Sequence, residues 1–171
     1  MEDLIPIATL FGRLLIREVD EELLKELQAP EVSGALSEIG VTVPDDAEAL
    51  RVEYASNFLV GPEQVPLVQS IWEGGAYQSE TIQSLKDLAE ETGLEYDREN
   101  ARAAPLDHLG SILLFWAEVA NDSPEARQQL AERHLSWARP ALIRLASPEG
   151  FYVQVADVVL DLIEQIQQIA D

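Results

Sequence analysis

Apolar residues recur three and four positions apart along most of the chain, and no stretch alternates with the period of two that a half-buried strand requires. The pattern predicts an all-α fold. Leu4, Ile7, Ala8, Phe11, Leu14 and Leu15 stripe one face of a first helix, and Asp20 offers an N-cap for a short second one, EELLKELQ. Pro30 to Ile39 reads as another short helix stopped by Gly40. Asp45 and Glu48 have capping-box spacing and open a helix whose inner face carries Ala47, Leu50, Tyr54 and Phe58, ended by Gly61-Pro62.

The next sixteen residues, EQVPLVQSIWEGGAYQ, lose the period and read as a long ordered loop. Ser79 then caps a helix that runs to Gly93, and a polar connection leads to Pro105 and an apolar helix striped by Leu106, Leu109, Leu113, Trp116 and Ala120. Ser123-Pro124 is an N-cap followed by proline at the first helical position, and it starts a helix through Leu130, His134 and Trp137 that Pro140 kinks or divides. Ser147-Pro148 repeats that start signal for a last helix bearing Tyr152, Val155, Val159, Ile163, Ile166 and Ala170. No repeat or linker interrupts the chain, so residues 1–171 are expected to form one helical domain.

Composition narrows the chemistry. The sequence is 47% hydrophobic and has no cysteine, which removes disulfides, thiolate catalysis and cysteine-based metal sites. The apolar N-terminal segment opens with acids and is broken by Pro6, Gly12 and Arg13, so neither a signal peptide nor a membrane span is expected, and the location expected is cytoplasmic. With 32 acids against 11 bases the formal charge is -21, a field that repels nucleic acid and steers cationic ligands inward. Solubility, or a salty cytoplasm, would account for the same charge.

Gly-rich phosphate loops and GxSxG are absent, and neither His108 nor His134 has a second histidine at helical metal-ligand spacing. No catalytic residue, metal or cofactor is expected. What stands out is Asp107-His108 at the mouth of an apolar helix, followed by Gly110. A carboxylate there faces the unpaired amides of the helix start, and a glycine inside a helix costs about 1 kcal/mol against alanine, so something approaches the backbone closely.

Four segments in order, EYASNFLVGP (53–62), VPLVQSIWEGG (65–75), APLDHLG (104–110) and HLSWARPAL followed by FY (134–142, 151–152), resemble the TorD/DmsD/NarJ-like family of redox-enzyme maturation chaperones. The matches fall on Pro66, Ser70 and Trp72, on Pro105, Asp107, His108 and Gly110, and on His134, Leu135 and Trp137; Ala104, Val68 and Gln69 depart from the family's glutamate, aromatic and acid.

The resemblance implies a single-domain helical bundle of the TorD-like type, non-enzymatic, monomeric or domain-swapped dimeric, acting on the catalytic subunit of a molybdenum or tungsten oxidoreductase. The ligand implied is that subunit's twin-arginine-type leader peptide, its body, or both, held while cofactor is inserted and before export or membrane attachment. It implies peptide binding by Asp107, His108, Gly110, Pro105, Trp72, Ser70, Tyr77 and Tyr54, with Asp107 accepting an arginine and Trp72 and Tyr77 supplying apolar contact. A helical adaptor using the same fold for an unrelated protein partner is the alternative.

Overall fold

The computed structural model describes residues 3–74, 80–96, 104–145 and 150–170. Its helices are α1 (Leu4–Ile16), α2 (Glu21–Gln28), α3 (Pro30–Glu38), α4 (Ala47–Tyr54), α5 (Gln69–Gly74), α6 (Glu80–Thr92), α7 (Leu109–Val119), α8 (Pro124–Gln129), α9 (Ala138–Leu142) and α10 (Phe151–Gln168). Two of them run on into a π-helical turn, α4 through Ala55–Leu59 and α8 through Leu130–His134. Among the described residues there is no strand, only an isolated antiparallel bridge between Val68 and His108. No helix among them is long and apolar enough to cross a membrane.

The all-α expectation holds, and many local signals work as chemistry says they should. Asp20 accepts the Leu23 amide at 2.9 Å, Ser123 accepts that of Ala126 at 3.4 Å, and the stops at Gly40, Gly61 and Gly93 fall at left-handed backbone. Several boundaries are corrected. Asp46, not Asp45, caps α4, by accepting the Glu48 amide. The stretch from Glu63 is not all loop, since α5 forms inside it. Helix α7 begins at Leu109, so Asp107 precedes it instead of occupying its first turn. The helix from Pro124 ends at His134, before Trp137; Pro140 then lies in the first turn of α9, where a missing amide costs little. Ser79 and Ser147-Pro148 lie outside the described residues.

Helices α1 and α7 form the most extensive helix pair and bury Phe11, Leu14, Leu15, Leu109, Ile112, Leu113 and Trp116. Fully burying side chains of this size contributes about 1.5–3 kcal/mol each. The two backbones cross where both lack a side chain. A Cβ on Gly110 would stand 2.6 Å from the Gly12 carbonyl oxygen and 3.0 Å from the Ile16 nitrogen, and one on Gly12 would stand 2.9 Å from Leu114 Cγ. Gly12 thus faces both Gly110 and Leu114, while Ile16 faces Gly110, so the pair is antiparallel. The neighbour that Gly110 makes room for is α1.

Helix α10 closes the bundle with Tyr152, Val155, Val159, Leu162 and Ile166 inside. Gly150 precedes it and has no capping side chain, and Glu53 of α4 fills that role by accepting the Tyr152 amide at 2.8 Å. Tyr54, the next residue, packs edge-to-face on Phe58 and Tyr152 at 5.1 and 5.4 Å, so the cap and the aromatic cluster fix the same junction.

The two kinds of helical glycine separate by experiment. Gly110→Ala forces backbone against backbone and is expected to lower stability by about 2 kcal/mol or more, whereas Gly34→Ala, where an added methyl meets nothing within 4 Å, is expected to raise it by about 0.5–1 kcal/mol. Urea or thermal unfolding of both variants checks the contrast.

Candidate functional site

The segments 65–74, 104–111 and 130–137 meet in one buried polar node. Its centre is Asp107, which is wholly enclosed. The first two amides of α5 both end on this residue: Gln69 N–H donates to the Asp107 carbonyl at 2.9 Å and Ser70 N–H to Oδ2 at 3.0 Å. Leu109 N–H returns a bond to the Leu67 carbonyl at 2.8 Å, completing a short ladder across the Val68–His108 bridge. A helix of six residues cannot stabilise itself, and this one is started by a carboxylate from another part of the chain.

Gln69 extends the node. Its amide NH2 donates to Glu73 Oε1 at 2.8 Å and to the Arg133 carbonyl at 2.9 Å; both are acceptors, which leaves Gln69 Oε1 to accept from His134 Nδ1 at 2.9 Å. Nδ1 therefore carries the proton, Nε2 is an acceptor, and Ser84 donates its hydroxyl to it at 3.1 Å. Glu73 Oε2 accepts from Thr81 at 3.0 Å, tying in α6. His134 is fully buried, and its main-chain carbonyl takes the Trp137 indole N–H at 2.7 Å. Burial, and secondarily the Arg133 charge, hold the His134 pKa down to about 4, against a smaller opposing pull from Asp107.

His108 caps its own helix. Its Nδ1 accepts the Gly110 amide at 3.1 Å, so its proton sits on Nε2, and burial of the ring lowers its pKa to about 4. That Nε2–H has no partner among the described residues.

The residues expected to contact a peptide are thus placed very differently from one another. Asp107, Ser70 and Gly110 are buried, the first two on each other and the third under α1. Tyr54 is buried and donates its hydroxyl to the Leu15 carbonyl at 3.0 Å. Pro105 is half-buried, and its carbonyl accepts from both the His108 amide and the Ser111 hydroxyl at 3.0 Å. Trp72 is half-buried, donates to the Pro66 carbonyl at 2.6 Å, and carries the Arg144 guanidinium 5.5 Å from its ring centre. Tyr77 lies outside the described residues. Ser70, Asp107, His108 and Pro105 are brought together, while Tyr54 belongs to the α10 junction.

The same 104–111 segment also borders a cavity of about 420 Å³. Leu106 and Ser111 reach it from this segment, joined by Ile16 of α1, Ala89 of α6, Leu94, and Leu114 and Phe115 of α7, with Arg13, Arg17, Glu95 and Glu118 also among its lining residues. Tyr96 pins the outer wall by donating to the Ala104 carbonyl and meeting the Ser111 hydroxyl at 3.2 Å.

Sequence reasoning does not find Gln69, Ser84 or Glu53 as site or capping residues. The available signals are a glutamine inside an apolar run and a long helix with no Ser, Thr, Asp or Asn directly before it. It also does not find the cavity, whose walls come from separate elements.

Residues 18–144 match the sequence profile of the family described as nitrate reductase delta subunit. The fold matches a crystal structure from Archaeoglobus fulgidus described as a redox enzyme maturation protein, with a TM-score of 0.67, 22% identity, and 94% of this chain and 93% of that chain covered. No curated protein matches the sequence.

Two measurements test the node. Asp107→Ala leaves the Ser70 amide buried without an acceptor and is expected to cost about 2–3 kcal/mol of unfolding free energy, with Asp107→Asn costing less because an amide oxygen still accepts. The folded His134 pKa lies below the ordinary 6.5, so between those values the unfolded chain binds more protons and stability falls as pH falls. The stability advantage of the wild type over His134→Gln is therefore expected to shrink between pH 6.5 and pH 4, by up to about 3 kcal/mol, in urea titrations across that range.

Proposed function

The chain belongs to the nitrate reductase delta subunit family, and from that premise we propose that it is a maturation chaperone for the catalytic subunit of a molybdenum or tungsten oxidoreductase. It binds the subunit's N-terminal twin-arginine-type leader, its body, or both, while cofactor is inserted and before export or membrane attachment. Because cofactor insertion precedes export, the place of action is the cytoplasm. The observation that carries this reading is the family match, whose span includes the whole Asp107–Gln69–His134 node.

The physical picture supports it. A net charge of -21 accelerates encounter with a cationic leader and opposes adventitious binding to nucleic acid. Holding a peptide without chemistry needs a rigid frame, and the node supplies one by locking α5, α6, α7 and the turn at His134 to each other. In this reading Asp107, Ser70, Gly110, Pro105 and Tyr54 position the binding surface from within. His108, through its free Nε2–H, and Trp72 remain as direct contacts.

Titration of the purified chain with the catalytic subunit, and separately with its leader peptide, tests the proposal. Binding at about micromolar Kd or tighter is expected for at least one of them, weakening as salt rises from about 0.05 to about 0.5 M. Absence of binding to both overturns the reading.

A further inference from the structure

Trp72 belongs to α5, the short helix that Asp107 starts, and its ring is fixed twice over. It packs on the hydrophobic core, and its indole N–H is tied to the Pro66 carbonyl at 2.6 Å. The residue is nevertheless only half-buried, so part of the ring stays open to a ligand.

That open part is already in use. The guanidinium of Arg144, just past the end of α9, lies over the ring at 5.5 Å from its centre, within the reach of a cation–π contact. Arg144 is exposed, and its side chain makes no hydrogen bond or ion pair among the described residues. Arg13, Arg51 and Arg139 each pair with a glutamate instead. In a chain with 32 acids, a guanidinium that rests on an indole rather than on a carboxylate marks this ring as a seat for a flat, weakly hydrated cation.

We propose that Arg144 is an intramolecular placeholder: the Trp72 ring receives an arginine of the client polypeptide, and Arg144 covers the ring until that arginine displaces it. This rests on the chaperone reading and adds a self-competition to it. An exposed cation–π contact favours the covered ring over the open one by a factor of about two to five, which lowers the apparent affinity of an incoming guanidinium about three- to sixfold. Displacement leaves no carboxylate unpaired, because Arg144 pairs with none among the described residues. The exchange favours a cationic peptide, since its arginine brings new positive charge to a chain of net charge -21, which Arg144 does not. A neutral apolar peptide has no equivalent contact to offer, so the covered ring discriminates where a bare indole would accept either.

The probe is a synthetic leader peptide of about 25 residues from such a catalytic subunit, titrated into the full chain beside the same peptide with citrulline in place of each arginine, which keeps the shape and removes the charge. Arg144→Ala is expected to tighten binding of the arginine peptide about three- to sixfold, and to leave the citrulline peptide within about twofold of wild type or equally unbound. Lys25→Ala removes the same charge from α2 and is expected to change the arginine peptide by less than about twofold. In a Trp72→Leu chain, which has no ring to cover, Arg144→Ala is expected to change it by less than about twofold.

If wild type and Arg144→Ala bind the arginine peptide within about twofold of each other, the placeholder is overturned and the chaperone reading stands. The placeholder fails equally if the citrulline peptide, Lys25→Ala or the Trp72→Leu background reproduces the full gain. Binding by Arg144→Ala alone supports it. If neither chain binds the peptide, the seat is refuted, and the chaperone reading then rests on binding of the catalytic subunit. Circular dichroism confirms folding of each variant, and the citrulline and Lys25→Ala comparisons decide the matter should Trp72→Leu fail to fold.

Discussion

A carboxylate closed off from water has to find its stabilisation inside the protein, and Asp107 finds it at the start of a helix, on an amide 37 residues earlier in the chain. Its side chain and its carbonyl take the first two amides of α5. This one arrangement joins the loop before α5 to the entrance of α7, and through Gln69 it reaches His134, Ser84 and Glu73. Breaking it would take these partners from buried amides, a carboxylate and a neutral imidazole, which is why so short a helix as α5 persists.

The close contact of α1 with α7 depends on the same segment. Pro105 to Ser111 distribute their groups in several directions: Leu106 and Ser111 toward the cavity, Asp107 toward α5, His108 onto its own helix start, and Gly110 against the backbone of α1. Each residue has a distinct mechanical task, so the motif reads as a joint. Glu53 repeats the principle at the junction of α4 with α10, where a carboxylate from α4 caps α10 and neighbouring aromatic rings pack together. In both places a helix lacking its own cap borrows one from a distant segment.

The buried node supplies rigidity by joining α5, α6, α7 and the turn at His134 through hydrogen bonds. The two histidines follow the same logic. Both are kept neutral by burial, and each uses Nδ1 in a hydrogen bond that orders backbone or side chains, so they serve the architecture more than any proton transfer.

Local chemistry made much of the fold legible. Helical periodicity, Asp20 and Ser123 as caps, and Gly40 and Gly93 as stops are interactions within a few residues, and the sequence by itself determined them. It also determined the charge, the absence of cysteine chemistry, and the segments that mark the family. The tertiary structure alone decided that α5 exists, because its cap is Asp107 and lies far away in sequence; that Gly110 yields to α1, because only packing shows which backbone approaches; and that Asp107 faces inward. The cavity was equally out of reach, since its walls come from α1, α6, α7 and residues 94–96, and a concave surface arises only when such elements are brought together.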